Sequence, residues 1–85
     1  MNFDVLGTKI TTCVWDKELV INGRRSYDQP IIVFFGARHI SGPKDIVGRE
    51  ILCIEKYEKG YRIRYRDIDE MTYLEADSYE AVINN

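Results

Sequence analysis

The chain has 85 residues and a mass of 10.0 kDa, so we expect a single domain over residues 1–85 with a small core. Its net charge of −2 excludes the positively charged surface over the whole domain that is typical of non-specific nucleic-acid binders. Hydrophobic residues make up 45% of the chain, which is enough for it to fold. No apolar run approaches the roughly 20 residues of a membrane span and no signal-peptide pattern opens the chain, so we expect a cytoplasmic protein without a membrane partner.

The first half of the chain predicts strands. Residues 9–15 (KITTCVW) are typical of a strand, because β-branched and aromatic side chains favour sheets. Asn22-Gly23 is typical of a type I′ hairpin turn, since both residues tolerate positive φ, and this turn would pair Ile21 with Arg24. The run Ile31–Phe35 lacks alternation and therefore predicts a central strand covered on both faces.

The segment after the central strand predicts a short helical turn near residues 43–47. Pro43 suits a helix start, and Gly48 suits a helix end. The N-terminus of such a turn presents N–H groups and a partial positive charge, which together favour a small anion. Four basic residues flank it and form a candidate anion site: Arg38, His39, Lys44 and Arg49. The sequence favours a plain connector with a solvated basic fringe, and the anion site is the alternative interpretation.

A second hairpin is predicted around Lys59-Gly60. This turn pairs Glu58 with Tyr61 and Glu55 with Arg64. Because side chains alternate along a strand, one face is predicted to join the core and the other to meet solvent or a partner. The core face consists of Leu52, Ile54, Ile63 and Tyr65. The opposite face consists of Cys53, Glu55, Tyr57, Arg62, Arg64 and Arg66.

The C-terminal third predicts an acidic corner, a strand and a helix. Residues 67–70 form the corner, and Met71–Ala76 is typical of a strand. Asp77 followed by Glu80 fits a helix N-cap and its reciprocal partner, which predicts a short helix over residues 78–83. The whole chain is therefore predicted to be mainly β, as a small SH3-like barrel or a strongly bent antiparallel sheet of 5–6 strands.

The second hairpin also supports a family resemblance. Residues 61–67 (YRIRYRD) end a hairpin and are followed by an acidic turn, another strand and the predicted terminal helix. Over residues 48–83 this order resembles the SH3-like barrels of the Tudor type. The resemblance implies a small barrel, and the family's methyl-ligand cage would require several aromatic residues around one pocket. Tyr57, Tyr65 and Tyr73 are enough aromatic residues for such a cage, but the sequence does not place them around one pocket.

The three arginines of the second hairpin are the main candidate for a binding surface. Arg62, Arg64 and Arg66 with Tyr57 could contact phosphates or an acidic protein surface. Arg24 and Arg25 would extend this basic patch if the two hairpins lay side by side. The alternative is an ordinary sheet face, in which Glu55 forms a cross-strand pair with an arginine.

The remaining polar groups do not indicate catalysis or a cofactor. Cys13 and Cys53 lie far apart between apolar or β-branched neighbours, so we expect buried, reduced thiols. His39 is the only histidine, too few for a structural zinc site. The acidic residues 67–70 lack the glycine and further ligands of a calcium loop. We therefore expect no metal, no cofactor and no enzymatic activity.

These observations favour a small binding protein that engages another protein and can inhibit it by doing so. The compact, tyrosine-rich and mildly acidic chain also resembles the small accessory proteins that phages encode against host machinery. The alternative is a nucleic-acid or nucleotide binding module that uses the arginine-rich strand face. A homodimer is a further alternative, since exposed strand edges can pair with another copy. An enzymatic role would require two chains to assemble one site.

Overall fold

The computed structural model describes residues 4–84, which form eight β-strands and no helix. The strands are β1 (Lys9–Trp15), β2 (Leu19–Arg24), β3 (Pro30–Phe35), β4 (Arg38–Ser41), β5 (Ile51–Tyr57), β6 (Gly60–Tyr65), β7 (Thr72–Glu75) and β8 (Ser78–Ile83). They form two antiparallel four-stranded sheets. The first sheet has the order β1-β2-β3-β8 and the second has the order β4-β7-β6-β5. Within residues 4–84 no helix is long and apolar enough to cross a membrane.

Two strand pairs connect the sheets. The chain runs from β3 into β4 and later returns from β7 into β8, so the same two segments pair in both sheets. Phe35 pairs with Ser78 in the first sheet, and Arg38 pairs with Glu75 in the second. At the corner between them, the Asp77 N–H donates to the Phe35 carbonyl at 2.8 Å. The two sheets are therefore held face to face by one long, bent antiparallel pair.

A second connection lies at the opposite end of the sheets. The Gly7 N–H donates to the Ile51 carbonyl at 2.9 Å, and the Ile51 N–H donates to the Thr8 carbonyl at 2.7 Å. Lys9 and Glu50 form an isolated antiparallel bridge beside these bonds. The start of β1 is thereby fastened to the start of β5, which fixes the distance between the sheets at this end.

The core lies between the two inner faces. Ile21, Ile32 and Phe34 come from the first sheet, and Ile51 and Ile63 come from the second; all five are fully buried. Burial of side chains of this size contributes roughly 1.5–3 kcal/mol each. The Phe34 ring extends the core towards the edge, where it lies 5.7 Å from the Tyr61 ring and 5.4 Å from the Tyr79 ring.

Tyr65 also belongs to this core. Its hydroxyl is 2.6 Å from the Thr72 hydroxyl, and both residues are buried. Burial raises the pKa of Tyr65 to about 12, although the hydrogen bond with Thr72 acts in the opposite direction. Tyr65 therefore cannot contribute to an open aromatic cage of the kind that the resemblance implied.

The mainly β class is confirmed, but both predicted helical segments are wrong. Residues 43–47 form bends and a turn, in which the Val47 N–H donates to the Asp45 carboxylate at 3.0 Å. Residues 78–83 form β8, where Ala81 pairs with Ile32. Pairing with β3 supplies both hydrogen bonds and burial for this segment, and this outweighs the local helix-capping pattern.

The predicted count of 5–6 strands is also too low, and the described strands do not form a closed barrel. The missing strands are β8, which was predicted to be a helix, and β4, which was predicted to be a connector. Residues 4–84 instead make two open sheets joined at their corners.

The first hairpin does not turn at Asn22-Gly23. Both residues lie inside β2, and the chain reverses at residues 16–18, where the Asp16 N–H donates to the Glu18 carbonyl at 3.1 Å. Ile21 consequently pairs with Cys13 and not with Arg24. Gly23 is buried against Thr8, and a Cβ at position 23 would collide with the Thr8 methyl group. Here the glycine provides space for close packing.

The second hairpin exists, but its register differs from the prediction by two residues. The turn residues are Glu58 and Lys59, and Glu55 pairs with Arg62. A shift of two residues keeps every side chain on its predicted face, whereas a shift of one would have exchanged the faces. Leu52 is the exception, because an irregularity between Ile51 and Cys53 gives the inward position to Ile51.

Candidate binding face

The outer face of the second sheet brings together the predicted arginines and several residues from other strands. Thr72 and Leu74 of β7 point into the core, as does Ile63 of β6, so the alternate positions face outward. The cross-strand register sets Glu55 beside Arg62, and Arg62 beside Tyr73. We call this surface the arginine face; it consists of Cys53, Glu55, Tyr57, Arg62, Arg64, Tyr73 and Glu75.

Glu55 organises the centre of the arginine face. Its Oε2 accepts from Arg62 Nη2 at 2.6 Å and from Arg62 Nε at 3.1 Å. Its Oε1 accepts from Arg64 Nη1 at 3.4 Å and from Cys53 Sγ at 3.2 Å. One carboxylate thus serves two guanidinium groups, which leaves this cluster with one net positive charge.

These contacts hold Glu55 in its ionised form. The hydrogen bond from Arg62, followed by the one from Cys53, lowers the pKa of Glu55 to about 2. A carboxyl group whose pKa falls on folding stabilises the fold above its unfolded pKa and loses that effect as the pH drops. The stabilisation from Glu55 is therefore present above pH 4.5 and is lost as the pH falls towards about 2.

Tyrosine rings extend the cluster along the sheet. The Arg62 guanidinium lies over the Tyr57 ring, 5.0 Å from its centroid. The Tyr57 and Tyr73 rings are 5.3 Å apart at an interplanar angle of 56°. A cavity of about 300 Å³ opens beside the two rings, and the Glu58-Lys59 turn and His39 complete its wall. The face therefore combines fixed cations, aromatic rings and a concave edge.

Arg66 lies just beyond β6, at the margin of this face. Its Nη1 is 3.4 Å from Glu50 Oε2, and its side chain is 73% exposed. Arg64 is 47% exposed, whereas Arg62 is 29% exposed beneath its two contacts. Exposure thus increases from Arg62 to Arg66, so the two later arginines are the ones most open to a partner.

Arg24 and Arg25 do not extend the arginine face, because the two hairpins belong to different sheets. Arg25 is almost buried and forms two 2.7 Å hydrogen bonds with the Asp28 carboxylate. Its Nη1 also donates to the carbonyls of Asp4 and Leu6, at 2.9 and 3.3 Å. Arg25 is therefore a structural residue that fastens the 25–29 loop to the N-terminal segment. Arg24 is exposed at the end of β2.

The candidate anion site loses the helix on which it depended. Arg49 is 3.1 Å from Asp67, and Arg38 lies 3.5 Å from Glu75 and 3.4 Å from Asp77. These two arginines are thus directed to different carboxylates: Arg49 to Asp67, which follows β6, and Arg38 to Glu75 of β7 and to Asp77, which precedes β8. Two basic residues remain, both exposed: Lys44 in the 42–50 connection and His39, which lines the cavity beside Tyr73.

Tyr73 and Glu75 were not predicted to lie on the arginine face. The signal was present in the predicted strand Met71–Ala76, since alternation places these two residues on one side. What the sequence did not give was the pairing of β7 with β6, which sets Tyr73 beside Arg62.

The two cysteines are free thiols that are half-buried, not fully buried as expected. Burial raises the pKa of Cys13, and nearby Asp45 adds to this effect. Burial also raises the pKa of Cys53, where Glu55 acts in the same direction while Arg64 and Arg62 oppose it. Both thiols are therefore predominantly protonated near neutral pH, which makes them slow nucleophiles.

Replacing Glu55 with glutamine is expected to accelerate alkylation of Cys53 by iodoacetamide several-fold at pH 8. The substitution removes a negative charge that disfavours the thiolate and leaves both arginines in place. Peptide-level mass spectrometry of the time course measures the rate, and Cys13 of the same molecule is the internal control. An unchanged rate at Cys53 would show that the Glu55–Cys53 contact does not exist in solution.

Residues 4–84 contain no group of three or more His, Cys, Asp or Glu side chains arranged to hold a metal ion. Comparison of the chain with protein-family models, with curated proteins and with solved structures gives no match. The geometry of the arginine face is therefore the feature of this chain from which a function can be inferred.

Proposed function

We propose that this protein is a non-enzymatic binding protein that engages, and by occupancy inhibits, another protein through its arginine face. The observation that carries the proposal is the fixed cluster of Arg62, Arg64 and Tyr57 around Glu55. Arginine and tyrosine are enriched among the residues that dominate binding energy at protein interfaces. Side chains already held in place lose less conformational entropy on binding, so more of the contact energy becomes affinity.

The charges on the face favour a protein partner over a nucleic acid. Glu55 neutralises one of its two arginines, and Arg66 has Glu50 beside it. A phosphate backbone would have to compete with carboxylates already in place, on a chain whose net charge is −2. A protein surface that presents one or two carboxylates to Arg64 and Arg66 matches the single excess positive charge of the cluster better than a phosphate backbone does. We expect the partner to present such a surface.

The setting that we propose is the cytoplasm of a host cell, with the protein acting as a phage-type factor against host machinery or defence. The abundance of tyrosine supports this proposal, since tyrosine is enriched at protein interfaces, and the small size matches the accessory proteins that the chain resembles.

The second candidate function is a nucleic-acid or nucleotide binding module on the same face. The paired rings of Tyr57 and Tyr73 beside Arg62 favour it, because aromatic rings and arginine can stack on a base. This function predicts an affinity that falls steeply between about 50 and about 200 mM salt.

A double Arg64→Ala/Arg66→Ala variant tests the proposal. We expect it to lose most of its binding to the partner that the wild-type protein captures, with a thermal midpoint nearly unchanged, because both side chains are exposed. A Lys9→Ala/Lys17→Ala variant removes the same charge from exposed positions outside the second sheet and should bind normally. Equal binding by both variants would contradict the proposal.

A further inference from the structure

A second cavity opens at the end of the arginine face that lies away from the Glu58-Lys59 turn. Its volume is about 240 Å³, and Arg64 and Arg66 form part of its wall. Three half-buried apolar side chains also line it: Leu52, Ile68 and Met71. We call this cavity the Leu52 pocket. It joins the two most exposed of the three predicted arginines to an apolar surface.

Leu52 lines the pocket because strand β5 is irregular at this point. The register of β5 against β6 shifts between Ile51 and Cys53, and Ile51 takes the fully buried inward position. Bulges of this kind re-aim a side chain and are frequent next to functional sites. The Leu52 side chain therefore has no place in the core, and it lies half-buried in the same pocket wall as Arg64.

Hydrogen bonds hold the pocket wall in place on two sides. The Arg66 N–H donates to the Glu50 carbonyl at 2.9 Å, which ties the chain after β6 to the chain before β5. In the acidic corner, the Asp67 carboxylate accepts from Arg49 Nη1 at 3.1 Å, and the next residue, Ile68, packs against the core. A wall that is already ordered loses little conformational entropy when a ligand enters, so more of the contact energy becomes affinity.

The charged groups around the pocket favour a ligand that carries a carboxylate. Arg64 Nη1 lies 3.4 Å from Glu55, and Arg66 Nη1 lies 3.4 Å from Glu50. Contacts of this length between exposed side chains are weak. Among the described residues neither guanidinium has a further acceptor, so most of its N–H donors are open to a ligand. Asp69 is the carboxylate in the pocket wall, which leaves the wall with one net positive charge.

We propose that the Leu52 pocket receives one aliphatic side chain of the protein partner, while an acidic residue beside it on the partner binds Arg64 and Arg66. Pockets for whole small molecules have volumes of roughly 300–1,000 Å³, so this smaller cavity suits a single side chain. An apolar anchor in a pocket with polar groups around it is the usual arrangement of an interface hot spot. A nucleic acid would bring phosphates but no aliphatic side chain. The inference rests on the proposed function, because it names the partner residues that contact the same arginines.

NMR titration of the isotope-labelled full chain with blocked tripeptides tests this inference. The probe is acetyl-Asp-Leu-Asp-amide, and we expect it to shift the methyl signals of Leu52, Ile68 and Met71 with a dissociation constant on the order of 1 mM. Acetyl-Asp-Gly-Asp-amide lacks the aliphatic side chain, and acetyl-Asn-Leu-Asn-amide lacks the carboxylates. Each of these two peptides should bind at least about fivefold more weakly than the probe.

Leu52→Asn is expected to weaken binding of acetyl-Asp-Leu-Asp-amide at least about fivefold, because it replaces part of the apolar wall with an amide of similar size. Leu6→Asn is the matched control. Leu6 is 49% exposed in a turn outside both sheets, so the affinity of this variant should stay within about twofold of wild type. Met71→Gln provides a second pocket variant if the circular dichroism spectrum of Leu52→Asn departs from that of the wild type.

Four results would overturn the inference. Equal affinities for acetyl-Asp-Gly-Asp-amide and acetyl-Asp-Leu-Asp-amide would show that the pocket is not used. Methyl signals that do not shift at about 10 mM probe would show that the pocket takes no such side chain. Equal affinities of Leu52→Asn and Leu6→Asn for the probe would place the contact elsewhere. An unchanged affinity of Arg64→Ala/Arg66→Ala would show that the arginines do not bind the carboxylates.

Partner capture separates the failure of this inference from the failure of the proposed function. If capture is lost with Arg64→Ala/Arg66→Ala but kept with Leu52→Asn, this inference fails and the proposed function stands. If capture survives both variants, the proposed function fails.

Discussion

Replacing Gly60 with alanine is expected to lower the free energy of unfolding by about 3 kcal/mol or more, because strand β6 passes too close to β7 for a side chain. An added Cβ would overlap the Leu74 carbonyl oxygen and would lie 2.6 Å from the Glu75 Cα. Both obstacles are backbone atoms of a paired strand, so the sheet itself would have to move. Urea unfolding followed by the fluorescence of Trp15, the single tryptophan, measures the effect.

Gly48→Ala provides the comparison for this experiment. Gly48 has a φ of 91° and no atom within 4 Å of an added Cβ, so its substitution costs only the strained backbone conformation, about 1–2 kcal/mol. A larger loss at position 60 than at position 48 is the expected order. The reverse order would mean that β6 and β7 are farther apart than the structure places them.

Replacing Arg25 with alanine is expected to destabilise the protein by about 3 kcal/mol. The substitution leaves the Asp28 carboxylate almost buried without its two 2.7 Å hydrogen bonds, and it releases the carbonyls of Asp4 and Leu6. Breaking a nearly buried ion pair from one side costs several kcal/mol, because one charge remains uncompensated. Urea unfolding gives this free energy directly.

The double variant Arg25→Ala/Asp28→Ala separates the two causes of this loss. Removing both charges avoids the unpaired carboxylate, so the double variant should be more stable than Arg25→Ala alone. Arg25→Lys should also lose stability, because an ammonium group cannot form the paired contact that the guanidinium makes with Asp28. A loss below 1 kcal/mol for Arg25→Ala would contradict the structural role and would return Arg25 to the candidate binding residues.

Two glycines account for most of the differences between the predicted and the observed hairpins. Asn22-Gly23 and Lys59-Gly60 both have the local chemistry of hairpin turns, yet both glycines lie within strands. Gly23 makes room for Thr8 and Gly60 makes room for Leu74, residues at least 14 positions away in the chain. Space of this kind is required by partners distant in sequence, so no local pattern reveals it. In the turn of the second hairpin, the residue with positive φ is Glu58 and not Gly60.

The arginine face was largely predictable because alternation along a strand is a local property. Arg62 and Arg64 were placed on the outward side of β6 despite the two-residue error in register. Arg66 lies just past the strand, and Arg25 has a structural role that depends on Asp28 and the N-terminal segment. Contacts of this kind join segments far apart in the chain, and periodicity carries no information about them.

The most direct test of the central claim is affinity capture from a native host lysate, with and without nuclease, read by mass spectrometry. We predict a stoichiometric protein partner that survives nuclease and is lost with Arg64→Ala/Arg66→Ala. A captured complex that disappears after nuclease treatment would contradict the claim and would identify the arginine face as a phosphate-binding surface.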